Sequence, residues 1–253
     1  MFLVDTYDTL AGVRKAVEVG RWLRSQGHEL AGIRLDSGDL AYLSIEARKI
    51  LDAAGFERAA IVGSSDLDEY LIDSLKQQGA KINVWGVGTR LATAYDQPAL
   101  GGVYKLSAVR SPGEPWRPCL KLSEHVSKTS TPGRLQVRRF ELDSECAGDM
   151  IYDLDLGPPA EPVLVDPLDP HRQKRMPANA GHADLLEPIF RQGKLVYKRP
   201  TLAESRDYAR TQLARFSPSV KRFVNAHEYP VGLEPGLYAL KSRLIRELRG
   251  IKD

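Results

Sequence analysis

Gly32-Ile33-Arg34-Leu35-Asp36-Ser37-Gly38-Asp39-Leu40 is a short apolar run that stops in an arginine, carboxylates, a serine and a glycine. Leu30, Ala31, Ile33 and Leu35 suit a buried strand, and Asp36-Ser37-Gly38 is turn-forming. Arg34 and Asp36 therefore stand near the C-terminal end of a strand, the end at which α/β folds bind ligands. Arg34 lies inside the apolar run, where an unpaired charge would be costly to bury. It needs an anion, either Asp36 or Asp5 or a planar carboxylate or phosphate on a ligand, which its forked donors match.

The same unit recurs on either side. Phe2-Leu3-Val4 reads as a strand running into Asp5-Thr6-Tyr7-Asp8, and Thr9 to Gln26 carries apolar residues at helical spacing before Gly27. Leu40 to Ala54 is the next helix. Ala59-Ala60-Ile61-Val62 then ends at Gly63-Ser64-Ser65-Asp66, followed by a helix from Leu67 to Gln78 that Asp66 or Ser65 could cap. Lys81 to Trp85 is a fourth strand and Gly101 to Leu106 an expected fifth. The interval of about 20–30 residues is that of successive βα units.

After Val109 proline and glycine break the pattern. Leu135 to Leu142 and Met150 to Leu156 alternate as a half-exposed antiparallel pair, Pro158 to Pro177 reads as an extended linker, and helices are expected at Leu202 to Arg215 and Leu237 to Leu248. The expected organisation is α/β. Residues 1–110 would form a partial barrel carrying the site, and residues 111–253 an α+β extension packed on it.

Composition narrows the function. Among 253 residues, 36 Lys+Arg against 33 Asp+Glu leave +3, too little to imply nucleic acid or an acidic membrane as partner. No stretch approaches the ~20 apolar residues of a membrane helix, and the first residues lack signal-peptide character. The two cysteines, Cys119 and Cys146, are too few for a thiolate metal site or a disulfide framework, so a reducing cytoplasm is expected.

Asp5, Asp8, Asp36, Asp39 and Asp66 all follow strands, which would gather them at one rim. Singly each is an ordinary turn or cap residue, but together they ask for positive charge, from Arg34 and from Mg²⁺ carried in by a polyphosphate. Gly86-Val87-Gly88-Thr89 could let backbone amides approach a phosphate, or could merely turn the chain. Leu91 breaks the dinucleotide fingerprint there, and no Gly-Lys-Ser/Thr follows. The five histidines are scattered and read as structural or solvent-facing, and the basic patches Arg172 to Arg175 and Lys194 to Arg199 as solvated faces.

Taken in order, Val4 to Asp8, Gly32 to Leu40, Gly63 to Asp66, Trp85 to Thr89 and Gly101 to Leu106 resemble nicotinate phosphoribosyltransferase, and the likeness continues through Lys128 to Gly133 and Leu195 to Leu248. The resemblance implies a type II phosphoribosyltransferase, a TIM-like barrel with a second domain. It implies joining of nicotinate to phosphoribosyl pyrophosphate, with ATP as co-substrate and Mg²⁺ as cofactor, in a family that forms dimers. On it, Arg34 would contact nicotinate. Gly86, Gly88 and Thr89 would hold the sugar 5-phosphate, and Ser37, Ser65 and Asp66 would line the ribose and pyrophosphate. Asp36 and Asp5 would be the catalytic carboxylates, and Asp8 a metal-side residue. The family's N-terminal domain, first barrel strands, stacking aromatic and phosphorylated histidine are expected upstream of this sequence. The chain is thus expected to work as a homodimer or with an N-terminal portion, and to expose a sheet edge beside Phe2-Leu3-Val4.

Overall fold

The computed structural model describes residues 1–125 and 128–251. The chain divides into two compact units, Met1–Gly102 and Val103–Asp253.

In the first unit strands and helices alternate. They are β1 (Phe2–Leu3), α1 (Thr9–Ser25), β2 (Gly32–Leu35), α2 (Leu40–Ala53), β3 (Ala60–Gly63), α3 (Glu69–Gln77), β4 (Val84–Trp85) and the single turn α4 (Thr89–Ala92). The strands lie side by side in chain order, all parallel, as helical crossovers require. Aspartates start the three long helices. Asp8, Asp39 and Asp68 each accept the N–H three residues on, from Ala11 at 2.6 Å, Tyr42 at 3.0 Å and Leu71 at 2.8 Å, satisfying amides that have no partner within the helix.

One face of this sheet carries the core. Ile33, Leu35 and Ile61 meet Val13, Ala16 and Val17 of α1 and Ala47 and Leu51 of α2, all buried. Each large side chain so buried contributes about 1.5–3 kcal/mol. The approach is close at Gly12, where a Cβ would fall 2.1 Å from the Val4 carbonyl oxygen. The opposite face presents an in-register row, Leu3–Arg34–Val62–Val84, whose ends are 51% and 45% exposed. Arg34 belongs to that row and is not buried, which corrects the expectation from the apolar run: β2 alternates, and its arginine faces away from the helices.

Three further expectations change. α3 starts at Glu69 under Asp68, because Ser65 and Asp66 hold φ of 92° and 44° and cannot begin a right-handed helix. The fourth strand is only Val84–Trp85: just before it the Asn83 N–H donates to the Ile61 carbonyl at 3.1 Å, but the Ile61 N–H goes to the Asn83 side-chain oxygen at 2.9 Å and not to a backbone carbonyl. Gly101 to Leu106 forms no strand. Its Val103 and Tyr104 are exposed, and the next pairing is the short antiparallel β5 (Ala108–Val109) with β6 (Arg117–Pro118).

The second unit is built on the hairpin of β7 (Leu135–Leu142) and β8 (Glu145–Asp153), turned at Asp143 and Ser144 with φ of 49° and 68°. There follow β9 (Val163–Val165), β10 (Gln173–Arg175), β11 (Gly181–Asp184), the small hairpin β12 (Phe190–Arg191) and β13 (Lys194–Leu195), α5 (Leu202–Ala214), α6 (Pro218–Lys221), β14 (Val231–Leu233) and α7 (Pro235–Leu248). The sheet order is β10-β9-β14-β8-β7-β11. The expected linker from Pro158 to Pro177 therefore contains two strands of this sheet, three residues each, too short for alternation to show. Phe140, Met150, Tyr152, Leu164 and Met176 form the core. No described helix is long and apolar enough to cross a membrane.

Candidate functional site

The C-terminal ends of β1, β2 and β3 bring together Asp5, Arg34, Asp36, Ser37 and Ser64. The ladder does the aligning: Val4 N–H donates to the Arg34 carbonyl at 3.3 Å and Ser64 N–H to the Leu35 carbonyl at 2.9 Å, so the residues just beyond each strand emerge side by side. Asp5 then fastens the turn after β2, its Oδ2 accepting from the Asp36 N–H and the Ser37 hydroxyl, both at 2.7 Å.

Within this frame Arg34 Nη2 donates to Asp36 Oδ1 at 2.9 Å, and Arg34 Nε to Ser64 Oγ at 2.9 Å. Ser64 Oγ in turn donates to Asp36 Oδ1 at 2.5 Å. The Ser64 hydroxyl, foremost, and the Arg34 guanidinium hold the Asp36 carboxyl below the usual carboxylate range, against the opposing effect of burial. Asp36 is thus ionised at neutral pH. All of these contacts fall on one carboxylate oxygen and one edge of the guanidinium. Among the described residues Asp36 Oδ2 and Arg34 Nη1 have no partner, and the two side chains are 42% and 47% exposed. The site offers a ligand one anionic acceptor beside one cationic donor, a combination suited to a molecule with an acid group and hydroxyls.

The other expected residues fall as follows. Asp8 and Asp39 cap helices. Ser65 and Asp66 occupy consecutive left-handed positions just past β3 and make no hydrogen bond to Arg34 or Asp36; such backbone strain clusters at ligand-binding turns. Gly86 follows β4 and its N–H donates to the Gly63 carbonyl at 2.8 Å. A Cβ on Gly86 would press on Ser64 Cβ at 3.3 Å, whereas one on Gly88 would meet nothing within 4 Å. Thr89 opens α4. Among the described residues there is no group of three or more His, Cys, Asp or Glu that could hold a metal ion. Ser64 was not anticipated. The signal was available in the pairing of Leu35 with Gly63, which places the next residue of β3 beside Asp36.

Comparison with known proteins shows what the chain is similar to. Residues 136–241 match the model of the nicotinate phosphoribosyltransferase C-terminal domain. The nicotinate phosphoribosyltransferase of Bacillus subtilis is 42% identical over 98% of this chain and 51% of its own length. Nearly the whole chain is thus similar to part of a nicotinate phosphoribosyltransferase, and residues 136–241 to that family's C-terminal domain. The human nicotinate phosphoribosyltransferase is 34% identical over 96% of the chain and 46% of its length. The crystal structure of human nicotinic acid phosphoribosyltransferase superposes with a TM-score of 0.72 and 30% identity, covering 96% of this chain and 46% of that one. A nicotinate-nucleotide pyrophosphorylase from Pyrococcus furiosus shares the fold, at a TM-score of 0.53 and 20% identity over 84% of this chain and 46% of that one. The chain thus spans about half the length of these relatives, and the mixed α/β fold is theirs.

Proposed function

We propose that this chain carries part of the active site of a nicotinate phosphoribosyltransferase, which joins nicotinate to phosphoribosyl pyrophosphate to give nicotinate mononucleotide and pyrophosphate with ATP hydrolysis. The observation that carries the reading is the half-open Arg34–Asp36 pair at the strand ends. Arg34 Nη1 faces the nicotinate carboxylate. Asp36 Oδ2 lies toward the phosphoribosyl group, where loss of pyrophosphate leaves positive charge at the anomeric carbon that a fixed carboxylate stabilises. Asp5 and Ser37 hold the turn bearing Asp36, Ser65 and Asp66 line the ribose side, and Gly86, Gly88 and Thr89 cradle the 5-phosphate. Mg²⁺ would enter with the pyrophosphate, as this ion commonly does, with Asp8, which caps α1, as the metal-side residue.

In this reading the four parallel strands are part of a TIM-like type II phosphoribosyltransferase barrel, supported by the two structural likenesses. Residues 1–110 carry the site, residues 111–253 are the extension, and a second copy or the remaining portion of the relatives' length completes the enzyme. The free thiols of Cys119 and Cys146 suit a cytoplasmic location.

The test is calorimetric titration of the whole chain with phosphoribosyl pyrophosphate plus Mg²⁺, and with nicotinate. Saturable heat that disappears in both Arg34→Ala and Asp36→Ala supports the assignment. A folded wild-type chain giving no heat, or variants binding as wild type does, overturns it.

A further inference from the structure

Ser64 is 6% exposed and its hydroxyl touches both charged groups of the site. A serine hydroxyl has one hydrogen. Arg34 Nε already donates to Oγ, and the acceptors within reach of that one hydrogen are Asp36 Oδ1 at 2.5 Å and the Leu35 carbonyl at 3.1 Å. The shorter contact, to a charged acceptor, takes it. Ser64 therefore accepts from the guanidinium and donates to the carboxylate, standing between Nε and the oxygen that Nε would otherwise seek.

What that prevents can be seen elsewhere in the same molecule. Arg139 and Asp149 have no hydroxyl between them, and they close as a fork, Nε on Oδ1 at 2.9 Å and Nη2 on Oδ2 at 2.7 Å. Both carboxylate oxygens are then taken. We infer that Ser64 is a positioning residue that holds Arg34 and Asp36 apart from this closed fork, so that Asp36 Oδ2 and Arg34 Nη1 stay available to ligand. The Gly86 turn packs closely against Ser64, since a Cβ at residue 86 would lie 3.3 Å from Ser64 Cβ. The inference rests on the reading of Arg34 and Asp36 as the ligand site.

The experiment compares wild type, Ser64→Ala and Ser64→Thr as full chains, by titration with phosphoribosyl pyrophosphate plus Mg²⁺ and by the NMR signal of the Arg34 Nε–H. With the hydroxyl gone the pair closes: binding weakens about tenfold, as for loss of one hydrogen bond to a charged group, and the Nε–H signal moves as its acceptor changes from hydroxyl to carboxylate. Ser64→Thr keeps the hydroxyl and both wild-type readings, which a purely packing role would not predict. Binding unchanged in Ser64→Ala while Arg34→Ala abolishes it would overturn the role of Ser64 and leave the site reading intact. Absence of wild-type binding would instead strike the site reading. Ser64 would then stand or fall on the Nε–H signal, and an unmoved signal in folded Ser64→Ala would refute it.

Discussion

The chain contains two arginine–aspartate pairs of the same composition and opposite character. Arg139 and Asp149 are 17% and 10% exposed, doubly hydrogen-bonded to each other. Asp149 Oδ1 also accepts the Tyr229 hydroxyl at 2.9 Å, and the Arg139 guanidinium lies 5.0 Å from the Phe216 ring centroid. That pair is saturated and enclosed. Arg34 and Asp36 are roughly half exposed and share one oxygen, with Ser64 interposed. The two pairs share residue types and differ in the hydrogen-bonding capacity left unused.

The sharpest way to break the contrast is Asp149→Ala, which strands the Arg139 charge in a largely dry setting. Breaking such a pair from one side costs about 3–5 kcal/mol, read as a lower urea midpoint for the second unit. A cost under about 1 kcal/mol would deny that the pair is a brace. Tyr229→Phe, which deletes one hydrogen bond to that carboxylate, is expected to cost about 1.5 kcal/mol. Burial, and secondarily Asp149, push the Tyr229 phenol well above its usual range. Its contribution is therefore complete below the unfolded tyrosine value of about 10 and is lost as pH rises toward the folded one. Wild type should lose stability above pH ~10 more steeply than Tyr229→Phe, and parallel curves would contradict the assignment.

At the exposed pair, Arg34→Ala should change stability by less than about 1 kcal/mol while removing ligand binding; a loss as large as that of Asp149→Ala would make this pair a brace too. The smallest expected effect is with acid. Because the folded Asp36 carboxyl lies below its ordinary range, the stability it contributes is present above the unfolded value of about 3.9 and lost only as pH falls through the folded one. The Asp36 carboxyl carbon should accordingly titrate below a free aspartate by NMR, and a midpoint at or above the free value would show the Ser64 and Arg34 contacts to be absent.

Much of the first unit was legible because its signals are long and redundant. Apolar spacing in Thr9 to Ser25 and Leu40 to Ala53, with an aspartate at each start, admits little but strand–helix alternation. The misreadings arose where a single residue carried the decision. Asp68 competed with Asp66 for the cap and won because the turn before it is left-handed, which composition does not announce. Arg34 read as buried because its neighbours are apolar, although an outward strand position next to inward Ile33 and Leu35 gives the same string of letters. Val163–Val165 and Gln173–Arg175 are strands made by their partners in a sheet assembled from distant segments, so no local period marks them. Ser64 required lateral pairing, not sequence, to be seen.

The row Leu3–Arg34–Val62–Val84 has a kinetic corollary. A slip of β2 by one position would carry Arg34 into the helix layer and turn Ile33 and Leu35 outward. The apolar contacts of Ile33 and Leu35 that fix the register of β2 therefore also fix the side of the sheet on which the guanidinium lies. On the proposed reading of the site, a misaligned sheet would not present the Arg34–Asp36 pair, and ligand binding followed during refolding would report strand alignment.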